Sequence, residues 1–281
     1  MGKFDGVLLA SDFDNTLIYT EGALRAGAPM PPLSQRNRAA LEYFIAEGGR
    51  FAIATGRALP AFIRFVPEIP MNAPGVVCNG ASLYDFEAEV YLENALLDKS
   101  VHVWGQELLD RFPAVAVEAY HVNNTIYAVR PNEVTRQHEH LTKVAVTEAP
   151  SLLEVPQPLG KLLFEAEHND LLALEAEMRA QGRGETYELV FSTPVLLELT
   201  AKGANKGGMV RRLAQHLGIS MEHVYCVGDE ANDIPMLTVA AQGFAPANCK
   251  DIVRQCGATV VSDAEHDALA DVVAILDAKY A

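Results

Sequence analysis

Val7-Leu8-Leu9-Ala10-Ser11-Asp12-Phe13-Asp14-Asn15-Thr16 is the stretch on which the reading of this chain turns. An apolar run stops at two carboxylates one residue apart, with a threonine two further on. On a strand, residues i and i+2 project from the same face, about 6–7 Å apart. Acids placed that way repel each other and lose hydration, so the pair invites a cation or a part in proton transfer. The carboxyl end of a buried strand is also where open α/β sheets bind ligands. A solvated strand end would leave such a pair without company elsewhere in the chain. A calcium loop, which also begins Asp-x-Asp, needs Gly at its sixth position and Glu at its twelfth. Those places hold Leu17 and Ala23, which excludes it.

The company exists. Phe51-Ala52-Ile53-Ala54 runs into Thr55-Gly56-Arg57, bringing a hydroxyl, a flexible backbone N–H and a guanidinium. Val224-Tyr225-Cys226-Val227 runs into Gly228-Asp229-Glu230-Ala231-Asn232-Asp233. Between them Lys206-Gly207-Gly208 opens an amphipathic pattern with Met209, Val210, Leu213 and Leu217 on one face. A lysine at a helix start opposes the macrodipole, and an anion held between the two resolves the conflict. A hydroxyl, a lysine and several acids together suit a phosphoryl group with a divalent metal.

In order and spacing, Asp12-Phe13-Asp14-Asn15-Thr16, Thr55-Gly56-Arg57, Lys206-Gly207 and Gly228-Asp229-x-x-Asn232-Asp233 resemble the four motifs of the haloacid dehalogenase superfamily. Asn79-Gly80-Ala81 after a strand, and the wording from Gly228 to Leu237, look like its Cof-type sugar-phosphatase branch. The resemblance covers nearly the whole chain. Asn15 stands where the family usually has glycine, and asparagine tolerates left-handed backbone better than most residues. The resemblance implies Mg²⁺ held by Asp12, Asp229 and the Asp14 carbonyl. Asp233 would orient the metal's water shell. Asp12 would attack phosphorus, Asp14 would act as acid and then base, and Thr55, Gly56, Lys206 and Asn232 would hold phosphoryl oxygens. Arg57, Asn79 and Gly80 are candidates for substrate contact.

The implied architecture is α/β: a doubly wound, Rossmann-like parallel-sheet core with an inserted α+β cap domain. Strand and helix patterns alternate from Asp12 to Asn79, with Ser34 a helix N-cap and Gly48-Gly49 its stop. Ser82–Leu92 then reads as a hairpin. Val115–Ala119, Thr125–Val129, Leu162–Ala166 and Glu188–Phe191 read as strands, with helical pattern over Val101–Phe112 and Leu171–Arg179. The core is expected at residues 1–83 and 193–281, resuming with Val195–Leu199, and the cap at 84–192. Within the cap, His121, Asn123 and Lys161 are the polar candidates for substrate contact.

A net charge of −15 argues against nucleic acid or an anionic membrane as partner. With no leader pattern or long apolar span, the cytoplasm is the expected compartment. The four cysteines lack metal-type spacing. The partner expected is a small phosphorylated metabolite, most simply a sugar phosphate. The oligomeric state and the organic part of the substrate stay open. Two readings compete with the Mg²⁺-dependent phosphatase: a phosphomutase of the same superfamily, and a non-catalytic regulator that binds a sugar phosphate. An ATP-dependent kinase is a weaker reading still, because no Gly-x-x-x-x-Gly-Lys-Ser/Thr occurs.

Overall fold

The run that ends at Asp12 is a central strand. In the computed structural model, which describes residues 2–281 apart from the side chains of residues 24 and 25, Leu8–Ser11 forms β1, buried along its length. Its side chains alternate between two cores. Leu9 packs with Phe44, Phe51 and Leu276, whereas Leu8 and Ala10 pack with Met209, Val210 and Leu213. A strand covered on both faces reads as an unbroken apolar run, as Val7–Ala10 does.

From β1 the chain continues through α1 (Glu21–Ala26), α2 (Gln35–Ala46), β2 (Arg50–Ile53), α3 (Leu59–Phe62), β3 (Gly75–Val77), β4 (Ser82–Asp85) and β5 (Val90–Asn94). The middle third holds α4 (Val101–Arg111), β6 (Ala116–His121), β7 (Ile126–Val129), α5 (Glu133–Thr142) and β8 (Thr147–Ala149). It goes on with β9 (Leu159–Glu165), α6 (His168–Ala180), α7 (Arg183–Thr186), β10 (Tyr187–Thr193) and β11 (Leu196–Ala201). The last part is α8 (Lys206–Leu217), β12 (Val224–Val227), α9 (Ile234–Val239), β13 (Gln242–Pro246), α10 (Asp251–Gln255), β14 (Thr259–Val261) and α11 (Ala268–Lys279).

The first sheet has the order β14-β13-β12-β1-β2, every neighbour parallel. Helices α2 and α11 supply the core on one face, and α8, α9 and α10 that on the other. Ser34 caps α2 as expected, accepting from the Asn37 N–H. A parallel bridge between Ala54 and Val76 attaches β3, which starts a small antiparallel sheet, β3-β4-β5. The chain builds outward from β1 through β2 on one side and from β12 through β14 on the other. The order therefore reverses at the β1–β12 junction, where a crevice opens at the carboxyl ends.

The six-stranded sheet β10-β11-β9-β6-β7-β8 is antiparallel except for β7–β8. Val117, Ala119, Leu162, Phe164, Leu197 and Leu199 form one face and pack with Trp104 and Leu108 of α4 and Leu171 and Leu174 of α6. One expectation is corrected here. Val195–Leu199 does not return the chain to the parallel core, because β11 pairs with β10 (Leu199↔Leu189) and with β9 (Leu199↔Leu162). An apolar run carries no mark of which sheet it joins. The insert is therefore better placed from α4 to β11, with Tyr84 in the small sheet attached to the core.

Helix α5 and strand β8 lie in a stretch for which the pattern predicts no element. Val134 and Leu141 are the only aliphatic residues of α5, too few for a periodic stripe. Its signal is at the start instead, a reciprocal capping box between Asn132 and Thr135. Among the described residues, no helix is long and apolar enough to cross a membrane.

Candidate active site

Parallel pairing carries past the end of β1, with the Asp12 N–H donating to the Val227 carbonyl at 2.9 Å. This seats Asp12, buried, beside the Gly228-Asp229 turn that follows β12. Thr16 Oγ1 donates to Asp229 Oδ1 at 2.8 Å, so the loop after β1 braces the loop after β12. Asn15 adopts the left-handed conformation, φ 56°. Its Oδ1 accepts from the Thr20 and Glu21 N–H groups (3.1 and 2.8 Å), service a glycine could not give.

Lys206 is the first residue of α8 and is fully buried. Its Nζ lies 2.6 Å from Asp12 Oδ1 and 2.6 Å from Asp233 Oδ1. The anions that reconcile this lysine with the helix terminus are thus, in the first instance, the chain's own carboxylates. Asp233 Oδ2 in turn accepts from the N–H groups of Asp229 and Glu230, at 2.9 and 3.0 Å. Close approach holds α8 in place. A Cβ on Gly207 would fall 2.2 Å from the Pro235 carbonyl oxygen, and one on Gly80 (φ +97°) 2.2 Å from the Asn205 carbonyl carbon. Gly80 therefore packs the β3–β4 turn against the start of α8, away from the cleft lining.

Asp12, Asp229 and Asp233 offer oxygens that all lie within 4.8 Å of one another, and all three residues are buried. Among the described residues, Lys206 alone of the cations pairs with this group. Burial raises the Asp12 carboxyl well above its usual range; Lys206 opposes this, while Asp233, Asp229 and Asp14 add to it. Burial, then the charge of Asp233, pushes Asp229 up to about 7. An all-oxygen donor set short of positive charge fits a hard divalent cation, so the residues present suit Mg²⁺.

Arg57 meets Asp14 through two parallel hydrogen bonds, Nε to Oδ2 and an Nη to Oδ1, both 2.7 Å. Its guanidinium lies over the rings of Phe13 and Phe65 (5.4 and 5.3 Å), which fixes the plane of the fork. Thr55 is buried, and its Oγ1 accepts from the Arg57 N–H at 3.1 Å. Asn232 Nδ2 donates to Asn79 Oδ1 at 3.1 Å, leaving Asn79 Nδ2 and Asn232 Oδ1 buried without a partner. Both side chains stand beside Gly56, as does Glu198 Oε1.

Part of this group forms one wall of a cleft of about 460 Å³, with Thr55, Asn79, Lys206 and Asp233 outside its lining. Asp12, Asp14, Gly56, Arg57, Asp229 and Asn232 line the core side; Glu118, Tyr120, His138, Lys161 and Glu198 line the side of the six-stranded sheet. Of the cap residues singled out in the sequence, Lys161 reaches this cleft. His121 borders a smaller neighbouring cavity, and Asn123 is exposed, its Oδ1 accepting from the Thr125 N–H. Glu118, His138 and Glu198 escape the sequence reading. The available signal was a lone charge inside an apolar strand run: Val117-Glu118-Ala119 and Leu197-Glu198-Leu199.

Comparison with known proteins agrees with this geometry. Residues 9–273 match the haloacid dehalogenase-like hydrolase family. The chain is 24% identical over 280 residues to the pyridoxal phosphate phosphatase YbhA of Escherichia coli, covering 95% of this chain and 97% of that protein. It is 27% identical over 250 residues to the 5-amino-6-(5-phospho-D-ribitylamino)uracil phosphatase YcsE of Bacillus subtilis, covering 88% and 86%. A solved phosphatase of the haloalkanoate (HAD) enzyme superfamily from Bacteroides thetaiotaomicron shares the fold with a TM-score of 0.80 at 20% identity, over 96% of this chain and 95% of that one. With four ordered motifs converging on one crevice and the family match spanning nearly the whole sequence, the chain belongs to the haloacid dehalogenase-like hydrolases and is a phosphatase of that type.

Proposed function

We propose that the protein is a Mg²⁺-dependent phosphomonoesterase acting on a small phosphorylated metabolite through an aspartyl-phosphate on Asp12. The observation that carries this reading is the buried trio Asp12, Asp229 and Asp233 against a single lysine, at the point where the sheet order reverses. A divalent ion held by Asp12, Asp229 and the Asp14 carbonyl would supply the missing charge and neutralise phosphoryl oxygens.

The chain's own groups then divide the work. An Asp12 carboxylate oxygen forms a bond to phosphorus as the ester P–O bond breaks, and Asp14 gives its proton to the departing alkoxide. Water next attacks phosphorus, its proton passes to Asp14, and the P–O bond to Asp12 breaks to release phosphate. Lys206, Thr55 and the Gly56 N–H supply cationic and hydrogen-bonding contacts to the phosphoryl oxygens, whereas Asn232, its Nδ2 donating to Asn79, offers the acceptor left without a partner. In this reading Arg57 positions Asp14, holding both carboxylate oxygens through its two hydrogen bonds.

Phosphate release from a panel of phosphomonoesters tests the proposal. Excess chelator should abolish turnover and added Mg²⁺ restore it; full turnover in chelator would sink the metal assignment. Transfer of phosphate to a second sugar in place of free phosphate would favour the mutase.

A further inference from the structure

Strand alternation places the second face of the six-stranded sheet against the cleft, and that face is charged. Registered pairs Tyr120↔Lys161 on β6–β9 and Glu198↔Leu163 on β11–β9 bring the polar groups side by side. Lys161 Nζ lies 3.1 Å from Glu198 Oε2 and 4.3 Å from the Tyr120 ring centroid. The Tyr120 hydroxyl donates to Glu118 Oε2 at 2.7 Å. His138 Nδ1 stands 3.1 Å from both Glu118 oxygens and 3.3 Å from Glu165 Oε1. Glu118, Lys161, Glu165 and Glu198 are all buried.

Two features of this wall bear on a ligand. First, each cation lining the cleft, among the described residues, already faces a carboxylate: Arg57 meets Asp14, Lys161 meets Glu198, His138 meets Glu118 and Lys250 meets Glu230. Second, where the two walls meet beside Gly56, the cleft-lining Asn232 has its Oδ1 acceptor without a partner, and Glu198 Oε1 stands beside the same glycine. A group entering there meets acceptors and negative charge. Hydroxyl or N–H donors are satisfied, whereas a carboxylate or second phosphate finds no spare cation and is repelled.

Resting on the phosphatase reading, we infer that Glu118, Lys161 and Glu198, with Asn232, form the leaving-group subsite, and that it takes a hydroxylated alcohol carrying no negative charge beyond the phosphate being removed. The Glu198–Lys161 pair is the selecting element. Glu198 accepts from a substrate hydroxyl and at the same time neutralises the lysine that would otherwise attract an acidic substrate.

D-Glucitol 6-phosphate and 6-phosphogluconate test this, because these open chains differ only in a terminal CH₂OH or carboxylate. With Mg²⁺ present, wild type should hydrolyse the glucitol ester with kcat/KM at least about tenfold above the gluconate ester, ~1.4 kcal/mol. Glu198→Gln frees Lys161, so the ratio should fall by about tenfold or reverse; general damage would lower both and leave it unchanged. Calorimetric titration of both esters into Asp12→Asn reads the same preference without turnover. Tighter binding of the glucitol ester supports the subsite even if wild type released no phosphate, an outcome that would break the phosphatase reading alone. Equal or tighter binding of the gluconate ester, or a ratio untouched by Glu198→Gln, overturns the subsite while leaving the phosphatase reading standing.

Discussion

The parallel sheet and the six-stranded sheet each bury an apolar face under helices, but they treat the other face in opposite ways. In the parallel sheet the second face is also apolar, Leu8 and Ala10 packing on Met209, Val210 and Leu213. Its polar chemistry is displaced to the strand ends, where Asp12 and Asp229 sit. In the six-stranded sheet the second face itself carries Glu118, Lys161, Glu165 and Glu198, all buried. Catalytic groups at strand ends are fixed by the whole core behind them. A charged sheet face can change residue by residue at alternate positions without disturbing the apolar side. On this view chemistry common to all substrates belongs to the first sheet and discrimination to the second.

The largest expected effect strikes the first sheet. Asp12→Asn should abolish covalent phosphoenzyme and lower kcat by at least ~10³-fold, as loss of a nucleophile does in other enzymes. Phosphoenzyme on the variant, detected by mass spectrometry after an acid quench, would break the assignment. Lys206→Ala removes a contact to the shared phosphoryl group and should lower kcat/KM by about 10²–10³ on every ester. It also leaves Asp12 and Asp233 buried without their cation, at a cost of about 3–5 kcal/mol, so chemical denaturation should accompany the kinetics. If this variant reorders substrate preference, the division between the sheets is wrong.

A smaller loss is expected at Arg57. Arg57→Lys keeps the charge but loses the two-pronged hold on Asp14, and kcat should fall by about tenfold on all esters alike. An effect confined to some esters would make Arg57 a substrate contact. The smallest effect belongs to the cap. Burial depresses the His138 imidazolium, yet hydrogen bonds and charge from Glu118 and Glu165 prevail and push it up to about 9. Its folded value therefore lies above the ordinary 6.5. The stabilisation is complete below about pH 6.5 and lost as pH rises through about 9. His138→Gln should lower Tm most at pH 6 and least at pH 10; a gap that widens with pH would remove His138 from the ion cluster.

The catalytic wall was legible because its residues are short-range punctuation: apolar runs that stop at Asp12, Thr55 and Asp229, and a lysine opening a helix. Asn15 showed the same economy, its left-handed φ of 56° matching what its residue type tolerates. The cap wall was legible only in part. Lys161 stood out as polar, whereas Glu118 and Glu198 lay inside strand runs, and α5, which delivers His138, has almost no apolar stripe.

By itself the sequence determined that β1, β2 and β12 are buried apolar runs, that Asp12, Thr55 and Asp229 stand just past them, and where α2 and α8 start, because each depends on the character of neighbours a few residues apart. Tertiary structure alone decided that β11 belongs to the six-stranded sheet, that Arg57 grips Asp14, and that Lys206 lies between Asp12 and Asp233. Each is a pairing across tens to hundreds of residues. The apolar pattern permits many such pairings, and one is selected by register, burial and the need of every buried charge for a partner.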